Sequence, residues 1–479
     1  MYMVTTNPSA YWHSNSFSRT REQYRTPVFQ AHFIDACVKT AEIINHKAKK
    51  SSANTDDTVV FIENSGVDDV LFTDSELNHS EPTSPSREKI QMFKSIFRDH
   101  IDEIAKLNPR LSITENIERM LNCGDPKNGG VMYACPDCEQ SLRFSPLHCH
   151  SRFCPSCGNI YNMRRAAAMS SKVIDAPHRH VTFTIPRELR VFFRLDRDAL
   201  NDLFAAVADT LFFIARHASK TQDYTPGFIA VLHTFGRDLK WNPHVHVLLC
   251  TKVFGNTSKG DFFLPYHLLR KSFQRCLLDR LKKRFGMVFS RLNSLIYQAY
   301  PDGFYVHAPN QNVNTDSVIK YIGRYLGRPP IASSRIDSFV DDIVTFHYTR
   351  HEDDKTVSES IPAFDFIKRL IVHIPDKNFK MVRYFGFYSS EGAHKEAMKK
   401  HHLKPRKTAE QKKRIFAQTK WRAAMINAFN IDPLKCSVCG GTMEPVYFSV
   451  KGHTYYFPSV KPSRALDIQF RFLMNQSSA

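Results

Sequence analysis

The five residues Asn242-Pro-His-Val-His246 constrain the fold more than any other stretch of the chain. Residues two apart in an extended segment point to the same face, so His244 and His246 share one side while Val245 and Val247 face a core. Two imidazoles on one face of a core strand can hold one cation. Residues 228–235 and 244–250 form two β-rich runs joined by a polar loop with Gly236, Asn242 and Pro243, and they are expected to pair as a hairpin. His233, near the end of the first run, then lies across from the histidine pair and is the leading third ligand, with Asp238 second.

A second motif follows along the chain. Asp316 is a good helix cap, and the run to Arg328 reads as a helix stopped by Pro329-Pro330. Ile319, Ile322 and Leu326 fall on one face. Tyr321 and Tyr325, four apart, present two hydroxyls side by side on a neighbouring face, flanked by Lys320, Arg324 and Arg328. Without the histidines both phenols read as packing groups beside a solvated basic face. With a metal pair in the same chain, they suit cutting and rejoining single-stranded DNA through phosphotyrosine.

Cysteine usage points to structural metal. Six of the eleven cysteines crowd between Cys123 and Cys157, unlike a disulfide framework. Cys135-x2-Cys138, fifteen residues, and Cys154-x2-Cys157 have the spacing of two knuckles closing on one tetrahedral Zn2+. Cys123, His148, Cys149 and His150 are candidates for a second site. Cys436-x2-Cys439 is a lone knuckle whose missing ligands are sought among His401, His402 and His453.

Charge narrows the partner. The formal net charge of +19 favours a polyanion, since Lys and Arg gain free energy on nucleic acid by releasing condensed counterions. Arg143, Arg152, Arg164 and Arg165 make a basic rim on the cysteine region, and residues 395–422 hold a dense basic run. No apolar run approaches the roughly 20 residues of a spanning helix. The polar start lacks the apolar centre of a signal peptide, so a cytoplasmic protein that does not engage membrane is expected.

Composition shifts divide the chain. Residues 1–85 read as a variable extension, disordered in part, in which 51–86 carries no Lys or Arg and forms an acidic linker. Residues 86–170 are a helical lead and zinc-binding domain; Ile90, Phe93, Phe97, Ile101 and Ile104 give its first helix an apolar stripe that ends at Asn108-Pro109, and a second short helix starts near Thr114. Residues 171–390 are the catalytic domain, with a strand at His180-Val-Thr-Phe-Thr-Ile-Pro186 and a helix from Asp198 to about His217. Residues 391–479 are a basic carboxy-terminal region. The fold class is α+β: a central antiparallel sheet flanked by helices, preceded by a small zinc-binding domain.

Six segments, in order, carry a resemblance. They are His148-Cys-His-Ser-Arg-Phe-Cys-Pro-Ser-Cys157, His180-Val-Thr-Phe-Thr-Ile-Pro186, Leu232-His-Thr-Phe-Gly-Arg237, Asn242-Pro-His-Val-His246, Lys320-Tyr-Ile-Gly-Arg-Tyr-Leu-Gly-Arg-Pro-Pro330 and Phe379-Lys-Met-Val-Arg-Tyr-Phe-Gly386. Together they resemble the HUH-type, two-tyrosine rolling-circle transposases of the insertion-sequence-ninety-one family. The resemblance implies an HUH endonuclease-like sheet, Tyr321 and Tyr325 as nucleophiles, Lys320, Arg324 or Arg328 as added positive charge, and Mg2+ or Mn2+ at His244 and His246. It also implies single-stranded DNA and transposon ends as partners and association with the nucleoid during transposition. A replication initiator or relaxase shares this chemistry, and a non-catalytic zinc-dependent DNA-binding regulator is the alternative from a different class.

Overall fold

Three antiparallel sheets organise the chain in a computed structural model, which describes residues 27–53, 87–218, 226–251, 265–308, 319, 330–350, 353–400, 404–429, 432–450 and 453–457. In chain order the strands are β1 (Gly129–Ala134), β2 (Leu142–Pro146), β3 (His178–Thr184), β4 (Gly227–Phe235), β5 (Trp241–Cys250), β6 (Val306–His307), β7 (Ile336–Val340), β8 (Ile343–Thr349), β9 (Thr356–Pro362), β10 (Val382–Gly386), β11 (Glu444–Val450) and β12 (His453–Tyr456). The architecture is a mixture of helices and antiparallel sheets, as expected for the α+β class.

The five-stranded sheet has the order β10-β4-β5-β3-β6, so β5 lies at its centre. His244 faces His233 on β4 and Thr184 on β3; His246 faces Val231 and Thr182. Residues directly opposite in an antiparallel ladder share a face. One face therefore carries Val181, Phe183, Phe228, Ala230, Leu232, Val245, Val247 and Leu249, all buried against the helices Ala199–Ala218, Tyr266–Phe285 and Met287–Ala299. Each of these side chains larger than Ala230 contributes about 1.5–3 kcal/mol by leaving water. The other face carries six histidines: His178, His180, His233, His244, His246 and His307.

The segment assigned to an amino-terminal extension adds to this core. Pro27–Ala53 is helical, and Phe33, Ala36, Cys37 and Ile44 recur at helical spacing and are buried in the main cluster. The Phe33 ring lies 4.9 Å from that of Phe285 and 5.5 Å from that of Phe192. The acidic residues of 54–86 lie outside the described residues.

A second core joins the helices Arg87–Asp99, Leu111–Leu121 and Ala363–Ile371 to the sheet β7-β8-β9. The apolar stripe predicted through Ile104 breaks at His100, whose Nδ1 bonds the Ile96 carbonyl at 2.9 Å and whose Nε2 lies 2.8 Å from Asp342. The break resets the helical phase. Phe93, Ile96, Phe97 and Ile104 stay buried, while Ile101 turns outward.

The third sheet, β12-β11-β1-β2, spans regions expected to be separate, because β11 near the end of the chain pairs with β1. Gly129 makes the approach possible. Its φ is +97°, and a Cβ there would sit 2.1 Å from the Ser449 carbonyl oxygen, so only glycine fits. Among the described residues no helix is long and apolar enough to cross a membrane.

Candidate metal and catalytic centres

The hairpin β4–β5 brings one ring nitrogen each of His233, His244 and His246 within 4.8 Å of one another. All three side chains are buried. His233 thus lies where the sequence reading placed its leading third ligand. Asp238 does not join the group; it sits in the hairpin turn, where it accepts from the Lys240 backbone at 3.0 Å and pairs with the Lys240 ammonium at 2.9 Å.

Hydrogen bonds set the orientation of these rings. His244 Nδ1 donates to the Asn242 carbonyl at 2.7 Å, which leaves the Nε2 lone pair available. His246 Nδ1 lies 2.8 Å from His180 Nε2 and 3.2 Å from Thr182 Oγ1. Burial pushes His244 down to about 4 and His180 down to about 3, and it holds His246 well below the usual histidine range. At neutral pH these rings are therefore uncharged, the form that binds metal.

The donor set fits a divalent transition ion. Three imidazole nitrogens leave the remaining positions to oxygen from water or phosphate, whereas Mg2+ prefers oxygen throughout. Of the two ions expected from the sequence, Mn2+ suits these residues better. His180 and Thr182 were missed as contributors. Their strand was predicted, but its register against β5 was not, and only that register shows that they face His246.

Tyr321, Tyr325, Lys320, Arg324 and Arg328 lie outside the described residues. Ile319 is described: it is helical and 2% exposed. It belongs to the apolar cluster containing Ile229, Val231 and Leu248, which share the sheet face of the histidines.

The cysteines are grouped differently from the single zinc expected at Cys135, Cys138, Cys154 and Cys157. One group is Cys123, Cys149, Cys154 and Cys157; the other is Cys135, Cys138, Cys436 and Cys439. The hairpin β1–β2 explains the correction. Cys135 and Cys138 follow the end of β1, and β2 then runs back, carrying the chain to Cys149–Cys157 at the opposite end, near Cys123. At about 3.3 Å per residue, strands of this length keep the two ends too far apart for one ion. β11 runs antiparallel to β1 with Glu444 opposite Ala134, so Cys436 and Cys439, just before it, arrive beside Cys135.

Both groups fit Zn2+. A tetrahedron with Zn–S near 2.3 Å separates its sulfurs by about 3.8 Å. The observed Sγ separations are 3.6 Å for Cys123–Cys157, 3.7 Å for Cys149–Cys157, 3.5 Å for Cys135–Cys439 and 3.7 Å for Cys138–Cys436. Backbone N–H groups point at the sulfurs, as Ser151 does to Cys149 and Val438 and Gly441 do to Cys436 and Cys439. His148 Nδ1 lies 3.7 Å from Cys123 Sγ, outside the four-sulfur set, and His150 and His453 are exposed. His401 and His402 lie outside the described residues.

The basic rim is divided. Arg164 and Arg165 are exposed on the helix Gly158–Lys172, with Arg165 stacked over Tyr161 at 5.2 Å. Arg143 donates to the carbonyls of Asp432 and Pro433, tying the carboxy-terminal region to the cysteine region. Arg152 instead turns into a cavity beside His373.

Comparison with known proteins accords with these centres. Residues 96–185 match the family model "Transposase zinc-binding domain", and residues 227–397 match the model "Putative transposase". The chain is 29% identical over 351 residues to the transposase for insertion sequence element IS801 of Pseudomonas savastanoi pv. phaseolicola, covering 69% of this chain and 82% of that protein. It is also 29% identical over 290 residues to a Sinorhizobium fredii protein named "Putative transposase y4qJ", covering 55% of this chain and 71% of that protein. No solved structure matches it significantly. With its cysteine-rich and histidine-bearing parts matched in that order, the chain carries the zinc-binding and putative-transposase domains of transposases of the insertion-sequence-ninety-one type.

Proposed function

We propose that the protein nicks and joins single-stranded DNA at the ends of its element through 5′-phosphotyrosine intermediates, in rolling-circle transposition, on an HUH endonuclease-like sheet. The observation that carries this reading is the buried group His233, His244 and His246 on the central strand pair. Ile319 supports it, being helical and packed on the same sheet face two residues before Tyr321.

The chemistry follows from the residues. The phenolic oxygen of Tyr321 or Tyr325 attacks a phosphodiester, forming a P–O bond to tyrosine and releasing a 3′ hydroxyl; the second phenol serves the other strand. The covalent ester conserves the broken bond, so no external energy source is needed. Tyrosine has an ordinary pKa near 10, so its attack needs positive charge near the phosphate. Lys320, Arg324 and Arg328 lie close in sequence to supply it. His233, His244 and His246 would hold a divalent cation, which when bound would supply Lewis-acid polarisation of the scissile phosphate. His246 would hold a metal through Nε2 in the tautomer whose Nδ1–H donates to His180, which makes His180 and Thr182 positioning residues for it.

The cysteine centres hold the DNA-binding part in shape, with Arg164 and Arg165 on its exposed helix. In this division 86–170 and 391–479 work together beside the catalytic residues 171–390. The test is incubation with labelled single-stranded oligonucleotides of the element's ends and Mg2+ or Mn2+. A denaturation-resistant adduct should form, map to Tyr321 or Tyr325, and disappear when both are changed to Phe. An adduct that survives the double change sinks the reading.

A further inference from the structure

Three guanidinium groups converge on one short backbone segment. Arg197 Nη1 donates to the Val372 carbonyl at 3.0 Å, Arg152 Nη2 to that of His373 at 3.4 Å, and Arg110 Nη2 to that of Ile374 at 2.7 Å. Arg110 also pairs with Asp376. Among the described residues Arg152 and Arg197 have no ion pair; Arg197 lies over the Trp241 ring at 4.5 Å, and its Nε is buried with no hydrogen-bond partner.

Charge balance at this place is incomplete. The segment follows the carboxy end of the helix Ala363–Ile371, whose dipole is worth about half a negative charge. Asp376 adds one full charge. Glu115 on the cavity wall is matched by Lys377 at 4.0 Å, so Arg152 and Arg197 keep no carboxylate in ion-pair contact, and a buried cation without an anion is costly. Burial pushes Arg197 down to about 9, with Arg110 and Arg152 nearby adding to the effect.

Arg152 opens into a cavity of about 230 Å³ lined also by Arg119, Lys377 and Pro330, and by the carboxylates Glu115 and Asp376, which pair with Lys377 and Arg110. Water takes about 30 Å³ per molecule, so a phosphate with several waters fits there. The cavity sits between the helix Leu111–Leu121, from the zinc-binding part, and residues 373–379. Its wall reaches β4, because His373 Nδ1 lies 3.1 Å from Thr234 Oγ1, the residue that follows His233. Pro330 closes the segment that contains Tyr321 and Tyr325.

We propose that this cavity binds a backbone phosphate of the single-stranded DNA, with Arg152 as its anchor and Arg197 and Arg110 holding the surrounding positive charge. The site rests on the DNA-processing reading above and adds to it a fixed grip on the strand between the zinc-binding and histidine centres.

The full-length Tyr321→Phe, Tyr325→Phe protein, which cannot capture DNA covalently, is titrated with a fluorescent single-stranded oligonucleotide across a salt series, with and without Arg152→Met. The change should weaken binding about tenfold, as loss of a charge-assisted phosphate contact does. The slope of log affinity against log salt should fall by about 0.7, the value for one phosphate contact on a single strand, and equally for unrelated sequences. Zinc content and the urea midpoint should match those of the parent, since an apolar replacement relieves an unpaired charge. Unchanged affinity and slope overturn the proposal. So does loss of folding or zinc, which would make Arg152 a strut for the carbonyl. Inorganic pyrophosphate is titrated in parallel; Arg152-dependent binding of pyrophosphate with unaltered oligonucleotide binding overturns the assignment to DNA. Adduct formation by the protein with both tyrosines is scored separately, so failure of nicking is not confused with failure of this site.

Discussion

His246 Nδ1 lies 2.8 Å from His180 Nε2, and the two rings meet edge to edge with centroids 5.0 Å apart and 11° between their planes. A ring held from one nitrogen presents the other in a fixed direction, so the His180 contact selects how His246 faces His233 and His244. Both partners come from adjacent strands of one sheet, which makes the arrangement rigid.

Removing His180 should therefore loosen the metal without touching it. His180→Ala is expected to lower Mn2+ affinity 10- to 100-fold, the usual cost of losing an outer partner of a histidine ligand. Calorimetric titration of Mn2+ checks this, with circular dichroism confirming the fold. Affinity equal to that of the unaltered protein would remove His180 from the centre.

The two four-cysteine groups make a stoichiometric prediction. The full chain should carry two Zn2+ ions, and Cys149→Ser or Cys436→Ser should each remove one. Only Cys436→Ser should make the 432–457 segment sensitive to protease, because its sulfur fastens that segment beside Cys135 and Cys138. Metal analysis and limited proteolysis read out both halves. A protein that keeps two ions after Cys436→Ser contradicts the pairing across the chain.

Part of this was legible in the sequence because strand parity is a local property. His-Val-His assigns its own faces, and a short hairpin carries the assignment across to His233. The knuckle pairing was not legible in the same way. A Cys-x2-Cys unit states that two sulfurs act together, yet which units meet depends on β1 pairing with β11 from the far end of the chain. The helix Pro27–Ala53 lacks a clear amphipathic pattern because Ile34, Val38 and Ile43 on its exposed face blur the stripe of Phe33, Ala36, Cys37 and Ile44. Arg152, two residues before a knuckle cysteine, reads as surface charge until the His373 segment is seen to fold over it.

That helix yields a stability test. Phe33 is buried between Phe192 and Phe285, so Phe33→Ala should cost about 3–5 kcal/mol through lost burial and an unfilled cavity. Urea unfolding followed by tyrosine and tryptophan fluorescence measures it. A cost under about 0.5 kcal/mol, typical of exposed positions, would return residues 27–53 to the status of an appendage.

Acid should unfold the protein through its buried neutral histidines. Burial pushes His373 down to about 3, where Thr234 and the Leu239 carbonyl hold its ring between Phe235 and Trp241. Its value in the unfolded chain is about 6.5, so above that pH neither state takes a proton and the folded state bears no penalty. As pH falls from about 6.5 toward 3 the unfolded chain binds a proton that the folded one refuses, and stability drops by up to about 1.4 kcal/mol per pH unit for this group. His178, pushed down to about 4 by burial beside Tyr388, acts in the same sense over a narrower window. His373→Gln can keep a hydrogen bond but has no proton to gain, so its urea midpoint should fall less steeply between pH 6.5 and 4.5 than that of the parent. Parallel curves would show that His373 titrates alike in both states, against the burial seen around it.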